Sequence, residues 1–264
     1  MADVAVIGVG RMGMPIVSRL VAAGHRVSAL GRRREVSEQI TAAGARAASE
    51  ISDVVTGDTD VVLIVVLTDE QVRDVCLSGD LLGRMKASAT IVVHTTGSPN
   101  TVEAIAKAAA PHGISVIDGA VSGGPHDIAA GTLTIFAGGD ESTVDAVNPV
   151  LGAYAEPIMH VGGLGSGQRV KLVNNTMFAA QIGLARAGVE LAARLGVDEA
   201  TLLAALPHAS ANSRALSGIA RYGSVDAFTE GVWEFVGKDV EVVRRVTAEL
   251  GGDLGDLSPL IPSR

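Results

Sequence analysis

Short runs of aliphatic and β-branched residues alternate with helix-like patterns through the first part of the chain. Seven such runs occupy residues 4–8, 26–30, 60–66, 90–96, 115–121, 133–139 and 157–162. Most of them are apolar at consecutive positions, which is typical of strands buried on both faces. Strands of this kind, alternating with helices, predict a parallel sheet covered by helices, the doubly wound α/β class.

The pattern changes after residue 167, where strand-like runs stop and long helical patterns begin. The first of these covers residues 169–195 and is rich in alanine and leucine at spacings of three and four. The glycine-rich stretch VGGLGSGQ, residues 161–168, provides a turning connection between the two parts. We therefore predict an α/β domain over residues 1–162 and an all-α domain over residues 163–264.

Composition and charge exclude several classes of protein. An apolar fraction of 47% with 19% charged residues is typical of a globular chain. The net charge of -8, without a basic stripe, opposes a nucleic-acid partner, because a duplex binder must present a cationic surface to phosphates. The longest strongly apolar run, residues 61–67, is far too short to span a membrane.

The opening residues and the single cysteine favour a cytoplasmic protein. The first ten residues carry an acid and interrupting glycines, where a signal peptide would carry cations and an unbroken apolar run. Cys76 has no second cysteine with which to form an internal disulfide, so a reducing compartment is its natural setting. We expect a soluble, cytoplasmic protein that binds neither nucleic acid nor membrane.

A glycine motif directly follows the first predicted strand. Gly8, Gly10 and Gly13 have the spacing G-x-G-x-x-G and stand between that strand and an amphipathic helix. One glycine turns the chain, the next lets the backbone approach a pyrophosphate, and the third allows close packing of helix on strand. This context favours a dinucleotide site over a plain structural turn. The cofactor-binding residues assigned to this glycine loop are Gly8, Val9, Gly10, Arg11, Met12 and Gly13.

The end of the second predicted strand indicates which dinucleotide binds. Folds that bind NAD place an acidic residue there, which takes the ribose hydroxyls. Here the sequence reads ALGRRR, so Gly31 leaves room while Arg32 and Arg33 supply positive charge for a 2′-phosphate. We predict NADP as the cofactor, with NAD less favoured and Arg32 as the principal clamp. The alternative is that these arginines are solvated residues at the start of a helix.

Four motifs taken together resemble the β-hydroxyacid dehydrogenases. IGVGRMGMPIVSRLVAAGHRVSALGR is similar to the family's cofactor segment, DGAVSGG to its substrate loop, GSGQRVKLVNN to its catalytic helix and FVGKD to its late lysine motif. They occur in the family's order and spacing over nearly the whole chain. The family includes 3-hydroxyisobutyrate dehydrogenase, tartronate semialdehyde reductase and glyoxylate/succinic semialdehyde reductases. The resemblance implies a Rossmann domain, an all-α domain after it, and a homodimer or homotetramer.

The resemblance also implies roles for individual residues. Lys171 would be the catalytic lysine, with Asn175 beside it in the catalytic site. The residues that would bind substrate are Ser122, Gly123, Gly124 and Thr95. The residues that would contact the cofactor, besides the glycine loop, are Gly31, Arg32, Arg33, Leu67, Thr95 and Lys238, the last followed by Asp239.

Helical spacing supports a joint role for Lys171 and Asn175. The two residues lie one turn apart on one face of a helix, so their side chains project in the same direction. A lysine alone would usually be a solvated surface residue, and the accompanying motifs reverse that interpretation. In carbonyl reduction Lys171 would donate a proton. In alcohol oxidation it would accept one, which requires its pKa to fall from about 10.4 toward roughly 7–8.

These features predict an NADP-dependent oxidoreductase that transfers a hydride between nicotinamide and a small β-hydroxyacid or its semialdehyde. The small carboxylate or aldehyde substrate would be held by consecutive amides of residues 122–124 in an anion-binding nest. No metal is implied, since no cluster of histidines and carboxylates has ligand spacing. Two alternatives stay open, an imine reductase on the same fold and a non-catalytic NADP-binding protein. His126 is either a substrate contact or merely exposed.

Overall fold

The computed structural model describes residues 1–262, except the side chains of residues 234 and 235. In this part of the chain eight strands form one sheet. They are β1 (Asp3–Ile7), β2 (Arg26–Leu30), β3 (Arg46–Ala48), β4 (Val61–Ile64), β5 (Thr90–Val93), β6 (Ser115–Ser122), β7 (Leu133–Gly138) and β8 (Ala155–Gly162). The α-helices are α1 (Gly13–Ala22), α2 (Arg34–Ala42), α3 (Ile51–Val54), α4 (Asp69–Arg73), α5 (Leu81–Arg84), α6 (Pro99–Ala109), α7 (Pro125–Ala130), α8 (Glu141–Leu151), α9 (Ser166–Arg194), α10 (Glu199–Ala205), α11 (Arg214–Tyr222) and α12 (Val225–Glu249).

The sheet has the strand order β3-β2-β1-β4-β5-β6-β7-β8 and is mostly parallel, which confirms the predicted α/β class. Strands β1 to β6 are parallel, whereas β7 pairs antiparallel with β6 and β8 runs parallel to β7. The reversal follows from length, because the connection at residues 123–132 is shorter than the dozen or so residues of a parallel crossover. Strand β3 was not predicted, since its three residues, RAA, form no apolar run.

Residues paired across β1, β4, β5 and β6 show where the carboxyl edge of these four strands lies. Ile7 of β1 pairs with Ile64 of β4. Val93 of β5 pairs with Ile64 on one side and with Asp118 of β6 on the other. The loops that follow β1, β4 and β5 therefore meet at one edge, level with Asp118. The strand order reverses between β1 and β4, and such a switch point is where open α/β sheets bind ligands.

Two apolar layers cover the faces of the sheet, which explains why the strands are apolar at consecutive positions. Neighbours in β1 belong to opposite layers: Val6 packs in the layer that contains Ile16 and Leu20 of α1, and Ile7 in the layer that contains Ile105 of α6. All five side chains are at most 1% exposed. The loops at the carboxyl edge therefore extend from a sheet that is closely packed on both faces.

The chain divides into two compact units inside its longest helix. The first unit is Met1–Lys171 and the second begins at Leu172, whereas the sequence pattern placed the boundary after residue 162, where β8 ends. Helix α9 thus begins in the first unit and continues through the second.

The second unit is helical and has its own apolar core. Ile182 of α9 packs there with Leu203 of α10, Ile219 of α11 and Phe228 of α12. Among the described residues, every helix is too short or too polar to cross a bilayer.

Candidate active site

The loop between β1 and α1 has two glycines at positions where a side chain would clash with the backbone. Gly8 has a φ of +107°, and a Cβ there would overlap the carbonyl of Val65 after β4. A Cβ on Gly13, the first residue of α1, would overlap the carbonyl oxygen of Gly8. Gly10 instead borders open space, with nothing within 4 Å of an added Cβ. These are the three roles that a dinucleotide-binding loop requires: a turn, close helix packing and an approachable backbone.

The start of α1 also has the electrostatics that a phosphate needs. Its first turn holds no acidic residue, and Met12 at the N-cap makes no side-chain hydrogen bond to the helix. The first amides of a helix have no intrahelical acceptor, and the helix dipole favours an anion beside them. Arg11, next to this end, is exposed. The residues present therefore fit the diphosphate of a nicotinamide dinucleotide.

Two exposed guanidinium groups stand at the carboxyl end of β2. Gly31 is buried, and its carbonyl accepts a hydrogen bond from the Ser37 hydroxyl at 2.7 Å. Arg32 and Arg33 are exposed, and in the described part of the chain neither side chain forms a salt bridge. Arg34 differs, because it forms an ion pair along α2 at 2.7 Å. The strand end therefore presents uncommitted positive charge at the position where NAD-binding folds place a carboxylate.

The loops after β4 and β5 bring Leu67 and Thr95 to the same edge. Leu67 is 62% exposed, so an apolar surface lies beside the switch point. Thr95 is 6% exposed, and its hydroxyl donates a hydrogen bond to the Val66 carbonyl oxygen at 2.8 Å. In this arrangement the Thr95 hydroxyl can only accept a further hydrogen bond, which restricts the contact it can make with a ligand.

The substrate loop, residues 122–124, begins at the last residue of β6 and leads into α7. Gly123 has a φ of +129°, which residues with a side chain rarely adopt. The Gly124 amide already donates a hydrogen bond to the Asp127 carboxylate at 2.6 Å. Of the consecutive amides predicted to form an anion nest, this one is therefore committed to the protein's own carboxylate. The neighbouring His126 side chain is 83% exposed, with its Nε2 3.3 Å from Asp127.

A buried carboxylate anchors the first turn of α9. Asp118 of β6 is 0% exposed, and its Oδ1 accepts a hydrogen bond from the Gly165 amide at 2.6 Å. Its Oδ2 accepts one from the Gln168 amide at 2.7 Å. Burial raises the pKa of Asp118 to about 6, against the opposing effect of these two amides. The group is therefore ionised at neutral pH and satisfies amides that a helix start leaves unpaired.

The side chain of Gln168 ties the same helical turn to the loop after β5. It is 1% exposed, and its Nε2 donates a hydrogen bond to the Thr95 carbonyl oxygen at 2.8 Å. Its Oε1 accepts one from the Gly97 amide at 3.0 Å. The helix comes close enough because Gly167 has no side chain, since a Cβ there would overlap the Phe136 carbonyl oxygen of β7.

Helix α9 carries Lys171 and Asn175 one turn apart. Lys171 is half-buried and is the last residue of the first unit. Asn175 belongs to the second unit, is 7% exposed, and donates a hydrogen bond from Nδ2 to the Asp239 carboxylate at 2.9 Å. Lys238, beside Asp239 on α12, is half-buried. The roles assigned to Lys171, Asn175 and Lys238 stay predictions.

Two family models together match nearly the whole chain. The model described as the NAD binding domain of 6-phosphogluconate dehydrogenase matches residues 3–163. The model described as NAD-binding of NADP-dependent 3-hydroxyisobutyrate dehydrogenase matches residues 165–255. The chain belongs to the β-hydroxyacid dehydrogenase family. It is accordingly an NAD(P)-dependent oxidoreductase that acts on CH–OH groups, as the four motifs predicted.

Relatives of this β-hydroxyacid dehydrogenase share both its sequence and its architecture. An uncharacterized oxidoreductase of Shewanella frigidimarina is 34% identical over 216 residues, 81% of this chain and 74% of that protein. The 3-hydroxyisobutyrate dehydrogenase of Pseudomonas aeruginosa is 30% identical over 218 residues, 82% of this chain and 73% of that one. The solved 3-hydroxyisobutyrate dehydrogenase of Mycobacterium tuberculosis with L-serine has a TM-score of 0.88 at 28% identity, over 99% of this chain and 91% of that chain. The match confirms a Rossmann-type domain followed by a helical one.

Imine reductases share the fold of this β-hydroxyacid dehydrogenase as well. The solved imine reductase from Pseudomonas sp. has a TM-score of 0.70 at 23% identity and covers 98% of both chains. At that identity the likeness shows the fold alone. It therefore does not favour an imine over a hydroxyacid as substrate.

Sequence reasoning about this family member missed Asp118 and Gln168. The available signal for Asp118 was an acid within the otherwise apolar run SVIDGAV, because a carboxylate inside a buried strand needs donors nearby. Gln168 offered no comparable signal, since a glutamine near a helix start is usually solvated. Only the tertiary structure shows that both are buried and bonded to the same turn of α9.

His94 is a third buried polar residue that the sequence analysis did not single out. Its Nδ1 lies 2.5 Å from the Gly119 carbonyl oxygen and its Nε2 lies 2.7 Å from the Tyr154 hydroxyl. Because a carbonyl oxygen can only accept, Nδ1 carries the proton and Nε2 accepts from Tyr154. Burial lowers the pKa of His94 to about 4, so the ring is neutral at pH 7.

The titratable side chains of this dehydrogenase do not assemble a metal centre in the part of the chain that the structure describes. No group of three histidine, cysteine, aspartate or glutamate side chains there could hold an ion. Cys76 is buried and unpaired, and burial raises the pKa of its thiol to about 12, so it is neither a ligand nor a nucleophile at neutral pH.

Proposed function

We propose that this dehydrogenase uses NADP to transfer a hydride between nicotinamide and a small β-hydroxyacid or the corresponding semialdehyde, with Lys171 as general acid and base. The observation that carries the proposal is the anchoring of the first turn of α9 by Asp118. That anchor is level with the ends of β1, β4 and β5, in the unit that also contains the glycine loop. Lys171 lies on α9 three residues after Gln168, whose backbone amide is bonded to Asp118. It is the only titratable side chain that the motifs assign to proton transfer.

The cofactor contacts are proposed from the fit of the residues. The glycine loop holds the diphosphate against the first amides of α1, and Arg32 with Arg33 holds a 2′-phosphate. The exposed Leu67 packs against the cofactor, and Lys238 makes a further contact with it. The bound dinucleotide supplies the hydride donor or acceptor.

The proton is proposed to move through Lys171. During carbonyl reduction its ammonium group donates to the oxygen that becomes the hydroxyl, and during oxidation the neutral amine accepts from that hydroxyl. Asn175, one turn along α9, supplies a second donor to the same oxygen. The substrate carboxylate is bound by the Ser122 hydroxyl and by the amides of the substrate loop. Thr95 accepts a hydrogen bond at this edge.

The substrate class is proposed from the names of relatives. Two of the relatives reported above are 3-hydroxyisobutyrate dehydrogenases, and the solved one was determined with L-serine. 3-Hydroxyisobutyrate and serine both carry a hydroxyl on the carbon β to the carboxylate. A small acid of this type is therefore the proposed substrate of this chain.

We also propose that the chain works as a homodimer or homotetramer in the cytoplasm. Helix α9 exposes an apolar row, defined here as Val173, Met177, Leu184 and Leu191, which are 49–60% exposed. Apolar rows of this kind usually mark surfaces that another chain covers. The free thiol of Cys76 suits a reducing compartment.

The test of the proposal is the Lys171→Ala variant. Removal of the proton donor should lower kcat by about 10²–10⁴-fold, while NADPH affinity stays close to that of the wild type. NADPH oxidation is followed with short-chain semialdehydes, NADP reduction with β-hydroxyacids, and NADPH binding by fluorescence titration. The matched control is Lys107→Ala, an exposed lysine on α6 that should leave every parameter unchanged.

Other outcomes would redirect the assignment. A Lys171→Ala variant with the wild-type kcat would remove this lysine from the mechanism. Reduction of cyclic imines with no activity on aldehydes would identify an imine reductase. NADPH binding without turnover of any acid, aldehyde or imine would identify a non-catalytic binding protein.

A further inference from the structure

We propose that Gln168 and Asp118 are positioning residues for proton transfer, which hold the first turn of α9, and with it Lys171, in register with the carboxyl edge of β5 and β6. The inference rests on the proposed role of Lys171 and adds the groups that direct its amine. Neither residue belongs to the cofactor or substrate contacts assigned above.

The anchor leaves the start of α9 little freedom to rotate or slide. Both oxygens of Asp118 are occupied by amides of the Gly165–Gln168 turn, and both side chains of the pair are at most 1% exposed, so water cannot replace these bonds. Lys171 follows Gln168 by three residues on the same helix. A slip by one residue would move its side chain by about 1.5 Å along the axis and rotate it by roughly 100°.

Displacements of that size matter for proton transfer. A general acid must come within about 2.6–3.2 Å of the oxygen it protonates. Misplacement by about 1 Å can cost on the order of 10²-fold in rate. The register of the first turn of α9 is therefore expected to control the rate, although neither Gln168 nor Asp118 is assigned a contact with substrate or cofactor.

Gln168 also connects the helix that carries Lys171 to the loop that carries Thr95. Its amide group bonds the carbonyl oxygen of Thr95 and the amide of Gly97, so the loop that carries Thr95 and the helix that carries Lys171 keep one fixed offset. The side chain must supply one donor and one acceptor at the same time. Glutamine does so at every pH, which is a chemical reason for this residue at this buried place.

Replacement of Gln168 by glutamate converts this contact into a pH-dependent one. A protonated carboxyl can donate to the Thr95 carbonyl and accept from the Gly97 amide, as the glutamine does. An ionised carboxylate can only accept, so it would repel the Thr95 carbonyl oxygen and leave α9 without this link.

Several charged groups face this position and set the sign of the pKa shift in the variant. Asp118 approaches from β6 and Asp69, bonded to the Ser98 amide at 3.1 Å, approaches from α4. Arg169 on α9 opposes them, but it is half exposed and paired with Glu103 of α6 at 3.2 Å. Burial and the two carboxylates should therefore raise the pKa of the introduced carboxyl from about 4.3 toward neutrality, so that it ionises as the pH rises.

The experiment compares kcat of Gln168→Glu with that of the wild type at each pH from about 6 to about 8.5. The ratio should fall by on the order of 10²-fold at the upper end and recover at least about tenfold at the lower end, while KM for NADPH stays within about threefold. Division by the wild-type value corrects for the titrations that the two proteins share. Gln39→Glu, the same change at an exposed site on α2, is the control and should give a flat ratio near one.

A second variant separates the lost contact from the added charge. Gln168→Met keeps the length of the side chain without the two hydrogen bonds, so its kcat should fall by about ten- to a hundredfold at every pH. This variant carries the test if Gln168→Glu does not fold, as judged by circular dichroism. A kcat equal to that of the wild type in both variants, or a Gln168→Glu ratio that does not change with pH, overturns the proposal.

A readout without turnover keeps this inference separate from the proposed function. The chain has four lysines, and the rate at which an amine-reactive reagent labels Lys171, relative to the exposed Lys107, is measured by mass spectrometry. In Gln168→Glu this relative rate should depart from that of the wild type as the pH rises. If the wild type turns over no substrate, the proposed function fails. Unchanged labelling of Lys171 would then overturn the positioning role as well.

Discussion

Single side chains at the carboxyl end of β2 are expected to decide which dinucleotide this dehydrogenase prefers. Gly31 keeps the strand end compact, and Arg32 and Arg33 offer charge without an internal partner among the described residues. A charged hydrogen bond to a phosphate is worth about 1.5–3 kcal/mol, which is roughly ten- to a hundredfold in affinity. NAD has no 2′-phosphate and cannot gain this energy.

The Arg32→Ala/Arg33→Ala double variant should therefore lower the preference for NADPH over NADH by at least about tenfold, through a higher KM for NADPH. The measurement is the ratio of kcat/KM for the two cofactors. Arg34→Ala is the control from the same run, because Arg34 is committed to its ion pair along α2 and should leave the ratio unaltered. A wild type that prefers NADH, or a double variant with an unchanged ratio, would show that these arginines are only solvated.

Two other buried titratable residues are poor candidates for the proton donor. His94 is held neutral by burial, with a pKa of about 4, and both of its ring nitrogens are already bonded. Cys76 is held protonated, with a pKa of about 12. These pKa shifts strengthen the case for Lys171, because neither alternative can exchange a proton with a substrate near neutral pH.

Helix α9 shows how glycines adapt one long element to different neighbours. Near its start Gly167 lets the helix approach β7. Further along, Gly183 packs against the carbonyl of Leu260, and a Cβ at this position would overlap it. Gly188, on the same helix, has nothing within 4 Å of an added Cβ. Glycine is thus required by packing at Gly183 and not at Gly188.

Alanine substitutions should separate these two positions. Gly183→Ala should destabilise the fold by about 1–3 kcal/mol, because an atom is forced into a packed contact. Gly188→Ala should raise stability by up to about 1 kcal/mol, because alanine has the higher helix propensity. Urea midpoints at one protein concentration measure both effects. Equal destabilisation by the two variants would contradict the assigned contact with Leu260.

At the scale of the whole molecule, the apolar row on α9 is a surface that the single chain leaves uncovered. Val173, Met177, Leu184 and Leu191 follow one another at helical spacing, each about half exposed or more. Burial of such side chains is worth about 25 cal/mol for each Å² removed from water, and this energy would drive the proposed association of two copies.

The Leu184→Glu variant should therefore lower the oligomeric state, because a carboxylate would have to be buried in the apolar interface. Size-exclusion chromatography with light scattering gives the mass of the wild type and of the variant. Leu250→Glu, which places the same charge at an exposed site after α12, should keep the wild-type mass. A wild type that is already monomeric would exclude this role for the row.

Much of the fold could be predicted from the sequence because its signals are local. Residues 26–30 were predicted as a strand and form β2. The run at 90–96 contains β5, and the run at 115–121 covers β6 except for its last residue. The direction of β7 was not predicted, because an apolar run does not show which way a strand enters the sheet. The glycine loop was predicted from its spacing after the first strand, and in the structure its backbone is open at Gly10.

The sequence by itself determined the family, the dinucleotide loop, the α/β class and the candidate lysine, because each depends on residue type at short spacing. Only the tertiary structure decided that Asp118 and Gln168 anchor the helix bearing Lys171, that the Gly124 amide is taken by Asp127, and that His94 is neutral. These features depend on burial and on hydrogen bonds between residues far apart in the chain. A side chain's partners and its distance from water arise only when the strands and helices pack together.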